Sequence, residues 1–235
     1  MFTTFHVGQE NVYKQWALLF GSGAKDATSL QYVHEKIVST YIDTVYGNLD
    51  TVFVGLDTVF DATNTYAIQY GGPANSILYA FDNTSIYYYG LPEHVVYALT
   101  NVSSSGAFAA LLPSKWNRIV GKESASWVTD TTMVTLSPTS PSTIIENLNG
   151  TDVGDTNLTI NGTTYKSDHA HHTGLIKLDS VTTLYGSMPL SLDVYMPYSL
   201  GAIGKIIIAP EFFNALDGSS SQYNGVERDL FSISY

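Results

Sequence analysis

The stretch Ile42 to Phe60 reads "IDTVYGNLDTVFVGLDTVF" and says nearly the same thing three times. Ile42-Asp-Thr-Val-Tyr46 returns as Leu49-Asp-Thr-Val-Phe53 and again as Leu56-Asp-Thr-Val-Phe60, with a step of seven residues. A step of seven is two helical turns. Upstream, Leu30, Val33, Ile37, Tyr41 and Val45 are spaced three or four apart, which is one helical face. Thr28 or Ser29 caps the start and Asp26 favours that end. The spacing predicts a helix over 28–46. Two readings are open for its continuation to about 61. In one, Ile42, Leu49 and Leu56 form a heptad seam. In the other, Tyr46-Gly47-Asn48-Leu49 is a two-residue hairpin turn between strands rich in Thr, Val, Tyr and Phe.

After Ala62 the pattern shortens to period two. Ile77 to Phe81 and Ser85 to Tyr89 read as strands about an Asp82-Asn-Thr84 turn. Val95 to Val102 reads as a strand, Gly106 to Val120 as holding a short helix started by Pro113, and Ala125 to Leu136 as a long strand. Ser137 to Pro141 and Asn147 to Asn157 read as loops. Asn157 to Tyr165 is the clearest hairpin, with Asn161-Gly162 in a type I′ turn. Strands follow at Leu175–Leu178, Val181–Tyr185, Leu190–Tyr195, Lys205–Ala209 and Glu227–Tyr235. Ahead of the repeat, Phe5 to Phe20 reads as a strand and a short helix. The expected fold is mainly β, an antiparallel jelly roll or β-sandwich with an N-terminal helical segment. Residues 1–63 form that segment, packed on a main domain at 64–235.

Composition narrows the partners. Charged residues make up 13%, about half of the ~25% usual in globular domains. Net charge is −11 with ten basic residues and no basic run, which argues against direct nucleic-acid binding. There are no cysteines, so disulfide scaffolds and thiolate metal sites are excluded. No run reaches the ~20 apolar residues of a membrane span, and the Trp16–Phe20 run is too short for the core of a signal peptide. Asn-x-Ser/Thr sequons at Asn83, Asn101, Asn149, Asn157 and Asn161 are candidate glycan acceptors.

Chemistry is sparse. "DHAHHTG", Asp168 to Gly174, holds half the histidines. On a strand, His169 and His171 share a face and can hold a metal with a distant carboxylate. A polar strand between hairpins is the plainer reading, so no required metal site is expected, and replacing His171 and His172 together should leave folding unchanged. "NGTDVGDTN", Asn149 to Asn157, reads as an Asx-rich turn rather than a calcium loop. "SLGAIGKI" lacks both the first glycine and the final Ser/Thr of a phosphate loop, and reads as a turn into a buried strand. There is no G-x-S-x-G elbow or dinucleotide fingerprint. The chain reads as a non-enzyme without cofactor.

The strands "SILYAF", "LSLDVY" and "KIIIAP", the ending "DLFSISY", and a usage rich in Tyr and Thr with Lys over Arg loosely resemble single jelly-roll capsid proteins of archaeal icosahedral viruses. The resemblance covers about Ser76 to Tyr235 and implies a self-assembling virion building block. Its partners would be copies of itself and other virion proteins, and the usage implies a thermoacidophilic source. Two alternatives stand beside it. One is a secreted archaeal filament or surface-layer subunit. The other is a secreted carbohydrate-active enzyme or carbohydrate-binding module. In either case the place is extracellular or on the cell surface. Phe231, Ile233 and Tyr235 alternate with Leu230, Ser232 and Ser234 at the C-terminus, and are the candidate subunit contact. That strand either pairs within its own sheet or is donated to a neighbour's edge.

Overall fold

The computed structural model describes residues 2–45, 47–65, 67–68, 76–82, 84–89, 116–122, 125–134, 142–180 and 183–235. Among them lie fifteen strands: β1 (Glu10–Leu18), β2 (Gln31–Val45), β3 (Asn48–Phe60), β4 (Ala67–Ile68), β5 (Ser76–Phe81), β6 (Ser85–Tyr89), β7 (Trp116–Gly121), β8 (Ser126–Val134), β9 (Ser142–Ile160), β10 (Thr163–Ser180), β11 (Thr183–Pro197), β12 (Lys205–Ile208), β13 (Glu211–Ala215), β14 (Ser220–Tyr223) and β15 (Gly225–Ser234). The helical element among the described residues is one 3-10 turn, Ala27–Ser29, capped by Asp26. No helix among the described residues is long and apolar enough to cross a membrane. The strand expected at 95–102, the helix start at Pro113, the loop at 137–141, and Asn83 and Asn101 lie outside the described residues.

The helical N-terminal segment is therefore corrected. Gln31–Val45 and the repeat from Asn48 to Phe60 form the hairpin β2–β3, with Val45 opposite Asn48 and Gly47 at φ +86° in the turn. The reason is in the side chains. Thr, Val, Ile, Tyr and Phe are stiff or bulky at Cβ and pack better on a pleated surface than on a helix. A step of seven is also odd, and side chains alternate along a strand. Leu49 and Leu56 thus point to opposite faces of β3, and both are solvent-exposed. The buried positions are the valines and Phe53: Val45 and Val52 enter a small cluster with Ala80 and Tyr87, and Phe53 and Val59 enter the main core.

The strands form one antiparallel sheet in the order β7-β6-β5-β3-β2-β1-β15-β12-β11-β10-β9-β8. β4 pairs on β3, and the hairpin β13–β14 branches from β11. Two meanders, β1 to β7 and β8 to β12, are joined where the first and last strands pair. Among the described strands the order has none of the Greek-key crossings of a jelly roll. The free flanks β7 and β8 come together, so the sheet curls into a nearly closed barrel. Side chains tie that seam. His172 Nε2 donates to Ile119 O at 2.8 Å, and Trp127 Nε1 donates to Arg118 O at 2.9 Å. The Trp127 and His172 rings meet edge to face at 5.7 Å. Phe5, Ile37, Ile86, Leu192 and Met196 are among the fully buried side chains of the main core.

Several local expectations hold. Asn161 and Gly162 both have positive φ, +47° and +79°, as a type I′ turn requires. In β11, Leu190, Leu192 and Val194 are buried, whereas Ser191, Asp193 and Tyr195 face outward. Gly201 turns the chain ahead of β12, as read from "SLGAIGKI". The loop expected at Asn147–Asn157 is part of β9 instead, because its partner β10 supplies a ladder that runs through it with two bulges. At the C-terminus β15 pairs on both sides within its own sheet, with β1 and β12. A register slip at Val12/Tyr13 passes over Phe231, so the alternation changes there. Leu230 is buried, Phe231 and Ile233 are half-buried, and Tyr235 is 78% exposed.

Candidate functional site

Polar groups inside the barrel form one network at the junction of the two meanders. Glu35 is buried on β2, and its Oε1 accepts from Asn11 Nδ2 at 2.8 Å. Its Oε2 accepts from Tyr79 OH at 2.7 Å. Gln9 Nε2 donates to Asn11 Oδ1 at 2.7 Å and to Gly201 O at 2.8 Å. Directly opposite Glu35 stands Asp57 of β3. Arg228 of β15 reaches Asp57 Oδ2 at 3.3 Å and donates from Nε to Gln15 Oε1 at 3.0 Å. Burial pushes the Glu35 carboxyl up, against the pull of its hydrogen bonds and of Arg228. One guanidinium thus serves two facing acids, and the interior stays neutral when Glu35 keeps its proton. The cavity beside this network is about 20 Å³, room for roughly one water molecule. It is a structural network and holds no organic ligand.

A second space suits a ligand. A cleft of about 570 Å³ opens at one end of the barrel, beneath the hairpin β13–β14. Its floor is core: Met188, Leu190, Ile208 and Val226 are buried. Its walls carry the amides of Gln15, Gln31, Gln222 and Asn224 and the ring of Tyr223, whereas the Trp16 ring lies on the outer face beside its cross-strand partner Glu227. Lys25 covers one face of the Trp16 ring at 3.9 Å. Glu211 is the one carboxyl of the lining, and burial pushes it up. None of the described lining residues is basic. The hairpin is held by the Phe20–Phe212 contact at 4.1 Å, and Asn224 Oδ1 accepts from Phe20 N at 3.3 Å. None of these residues was singled out in the sequence. They come from five separated stretches, and Gln, Asn and Tyr at irregular spacing leave no motif.

"DHAHHTG" lies on β10 and divides between the two faces. His169 and His171 face outward, whereas Asp168, Ala170 and His172 face inward. His172 is fully buried and its imidazole is lowered to about 4, chiefly by burial. Its bond to Ile119 closes the seam, so replacing it should cost stability, against the expectation from the sequence. His169 Nε2 and His171 Nδ1 both reach Asp193 Oδ1, at 2.7 and 2.8 Å. Among the described residues no three acidic or histidine side chains stand as a ready metal cage. In "NGTDVGDTN", Asp155 is engaged by Lys122 at 3.0 Å and Lys166 at 2.7 Å, which occupies it with cations of the chain itself.

Of the sequons, Asn157 and Asn161 are exposed, whereas Asn149 is half-buried between β8 and β10. The Asn161 amide also meets Phe231 O. The candidate contact Phe231, Ile233 and Tyr235 is divided, because the first two pack partly on the chain's own sheet. Phe231 stacks under Lys14 Nζ at 3.9 Å.

No family model matches this chain, and no curated protein matches it in sequence. Solved structures do match. One is a "putative lipoprotein" from Parabacteroides distasonis ATCC 8503, at 8% identity and a TM-score of 0.52, covering 98% of this chain and 97% of the other. Another is a "putative exported protein with YmcC-like fold" from Bacteroides fragilis NCTC 9343, at 8% identity and a TM-score of 0.42, covering 100% and 99%. The capsid reading is corrected here. It rested on a jelly-roll likeness, whereas the chain shares the fold of a bacterial "putative lipoprotein" over nearly its whole length, and its strands run as meanders. The virion as its place, the archaeal virus and the thermoacidophilic source fall with it.

Proposed function

We propose that this chain is an exported protein of the cell surface or extracellular space that works by binding, taking an uncharged, hydroxyl-rich ligand such as a saccharide segment into the barrel-end cleft. The lining of that cleft carries the reading. Amide side chains both donate and accept, which suits hydroxyl groups. Tyr223 offers apolar ring surface beside them. With no basic lining residue and a net charge of −11, anions are disfavoured. The volume lies within the roughly 300–1,000 Å³ of small-molecule sites. The likeness to a bacterial "putative lipoprotein" supports export, and the ligand is read from the cleft. No pair of facing carboxylates lines it, which favours binding over glycoside hydrolysis.

The test is a panel of neutral and acidic oligosaccharides, scored by calorimetry on the full chain, Tyr223→Ala and Gln31→Ala. Neutral glycans should bind, and each variant should weaken them at least tenfold. Silence across the panel, or binding that both variants retain, would sink this reading.

A second reading, a surface filament or layer subunit, is favoured by the tip of β2–β3, where Ile42 and Leu49 are 63% and 77% exposed. Tyr235 would add to such a contact. Sedimentation of the native chain and of Ile42→Ser/Leu49→Ser decides it: a concentration-dependent assembly that the variant lacks supports it, and a strict monomer rejects it.

A further inference from the structure

We infer that Glu211 selects the ligand of the barrel-end cleft: its carboxylate accepts two neighbouring hydroxyl groups of a neutral saccharide, and capture weakens in acid. The assignment rests on the saccharide reading of the cleft and names the residue that sets its specificity. Glu211 opens β13 and is the direct cross-strand partner of Tyr223 on β14, so carboxyl and ring share one face of the hairpin. Both line the cleft. Side chains alternate along a strand, so Phe213 shares that face as well. Phe213 packs on the main core and fills the space beside Gly186 of β11, where a Cβ would stand 2.5 Å from its ring. On the opposite face of the hairpin, Phe212 meets Phe20. The strand that carries Glu211 is thus seated from both sides, which fixes where its carboxyl stands.

Glu211 brings to the cleft a group that, when ionised, only accepts hydrogen bonds. It is half-buried, and among the described residues it has no hydrogen-bond or ion-pair partner of its own. Two amides of the same lining are left as donors. Gln15 Oε1 accepts from Arg228 Nε at 3.0 Å, and Asn224 Oδ1 accepts from Phe20 N at 3.3 Å, so each keeps its NH₂ group for other partners. A ligand that satisfies this lining must donate to Glu211 and accept from Gln15 and Asn224. An ammonium group cannot accept, and a carboxylate or phosphate cannot donate. A hydroxyl does both, and the two oxygens of a carboxylate suit a neighbouring pair of hydroxyls. Hydrogen bonds to an ionised acceptor are roughly twice as strong as neutral ones, so Glu211 weighs more than any amide of the lining. The Tyr223 ring beside it offers a surface to the apolar face of the same sugar.

That strength depends on charge. Burial alone pushes the Glu211 carboxyl up, and no neighbouring charge contributes. The other titratable group of the described lining is the Tyr223 phenol. Charged groups of the surrounding segments are engaged elsewhere: Lys25 with Glu227 and Asp229, Asp26 with Thr28, and Asp217 with Ser219. As pH falls through the raised value, Glu211 takes up a proton. One oxygen then becomes a donor, and the paired acceptance of two hydroxyls is lost.

The test uses the full chain and calorimetry with three probes: cellohexaose, mannohexaose and the cationic hexaglucosamine. Titrations run at about pH 6.5 and pH 4.5, below the melting temperature at each. A neutral hexaose should bind the native chain at pH 6.5 and outbind hexaglucosamine, and it should weaken about fivefold at pH 4.5. Glu211→Gln should bind that hexaose about tenfold more weakly at pH 6.5, with no further loss at pH 4.5. Should that variant melt abnormally, the pH response and the probe preference of the native chain decide. Neutral hexaoses that bind equally well at both pH values, or equally well to Glu211→Gln, would overturn this assignment and leave the saccharide reading standing. Tighter binding of hexaglucosamine, lost in Glu211→Gln, would overturn it in favour of an ammonium partner. Silence with all three probes would remove the saccharide reading and this assignment together.

Discussion

Replacing Arg228 with Met should cost this protein much of its stability at neutral pH and far less in acid. The Arg228 and Asp57 side chains are 6% and 4% exposed, and they pair at 3.3 Å. Methionine fills similar length but takes the guanidinium away from Asp57, which stays buried opposite Glu35. Removing one partner of a buried ion pair costs about 3–5 kcal/mol. In a chain of 150–250 residues each kcal/mol moves the melting temperature by about 2–4 °C, so the variant should melt roughly 6–20 °C lower at pH 7. The stranded carboxyl can stay buried only by taking up a proton, which is easy near pH 4 and hard near pH 7. The deficit should therefore shrink as pH falls. Adding Asp57→Leu to Arg228→Met removes the stranded charge and should return stability to within about 2 kcal/mol of the native chain. Urea midpoints at pH 4 and pH 7 for the native chain, the single variant and the double variant measure all of this. A loss below about 1 kcal/mol at pH 7 would mean that Arg228 and Asp57 are solvated, and the reasoning about a neutral interior would fail. So would a loss that stays constant with pH, which is the mark of packing alone.

Other consequences follow from single contacts. Glu35 has a raised folded value, so its contribution is full below the unfolded carboxylate range and is lost as pH rises through that value; Glu35→Gln should flatten this loss in urea midpoints taken from pH 4 to pH 8. His172 has the opposite sign: with its folded value at about 4 against 6.5 unfolded, its contribution is full above pH 6.5 and fades toward pH 4, by roughly 3 kcal/mol, and His172→Gln should remove that slope. Gly150→Ala should destabilise by about 1–3 kcal/mol, because its Cβ would stand 2.2 Å from the Trp127 ring; the same change in a Trp127→Ala background should be nearly free. Ending the chain at Arg228 removes the strand that pairs Glu10 to Lys14 and uncovers the site of Leu230, so the cooperative melt should disappear in calorimetry.

How much of this was legible depended on the range of the interaction. The Asn161-Gly162 turn is decided by two residues that tolerate positive φ, and it was readable as written. The inward and outward sides of Leu190–Tyr195 follow from alternation, and they too were readable. The repeat was not, because a step of seven satisfies a helical face while its residues favour strands. What settled it was β5, which pairs with Val52 to Leu56 and makes β3 an inner strand. Asn147–Asn157 looked like a loop for the same reason in reverse: Gly, Asn and Asp are poor strand formers alone, yet β10 supplies the ladder. The cleft and the acid pair were beyond reach. Glu35 and Asp57 meet only because the hairpin register puts them opposite, and Arg228 joins them only because the last strand returns beside the first.

That return also links stability to the proposed binding. Gln15 stands on the wall between the two spaces: it lines the cleft, and its Oε1 accepts from Arg228 Nε, which borders the inner cavity. An amide has one carbonyl and one NH₂ group, so spending the carbonyl on Arg228 leaves its NH₂ for other partners. The guanidinium therefore fixes which way Gln15 faces, and with it which half of a ligand hydroxyl Gln15 can satisfy. A pair buried for the sake of a neutral interior thereby sets the polarity of one cleft wall. In Arg228→Met the amide is free to turn, so ligand selectivity should blur even at pH 4, where the fold is largely restored.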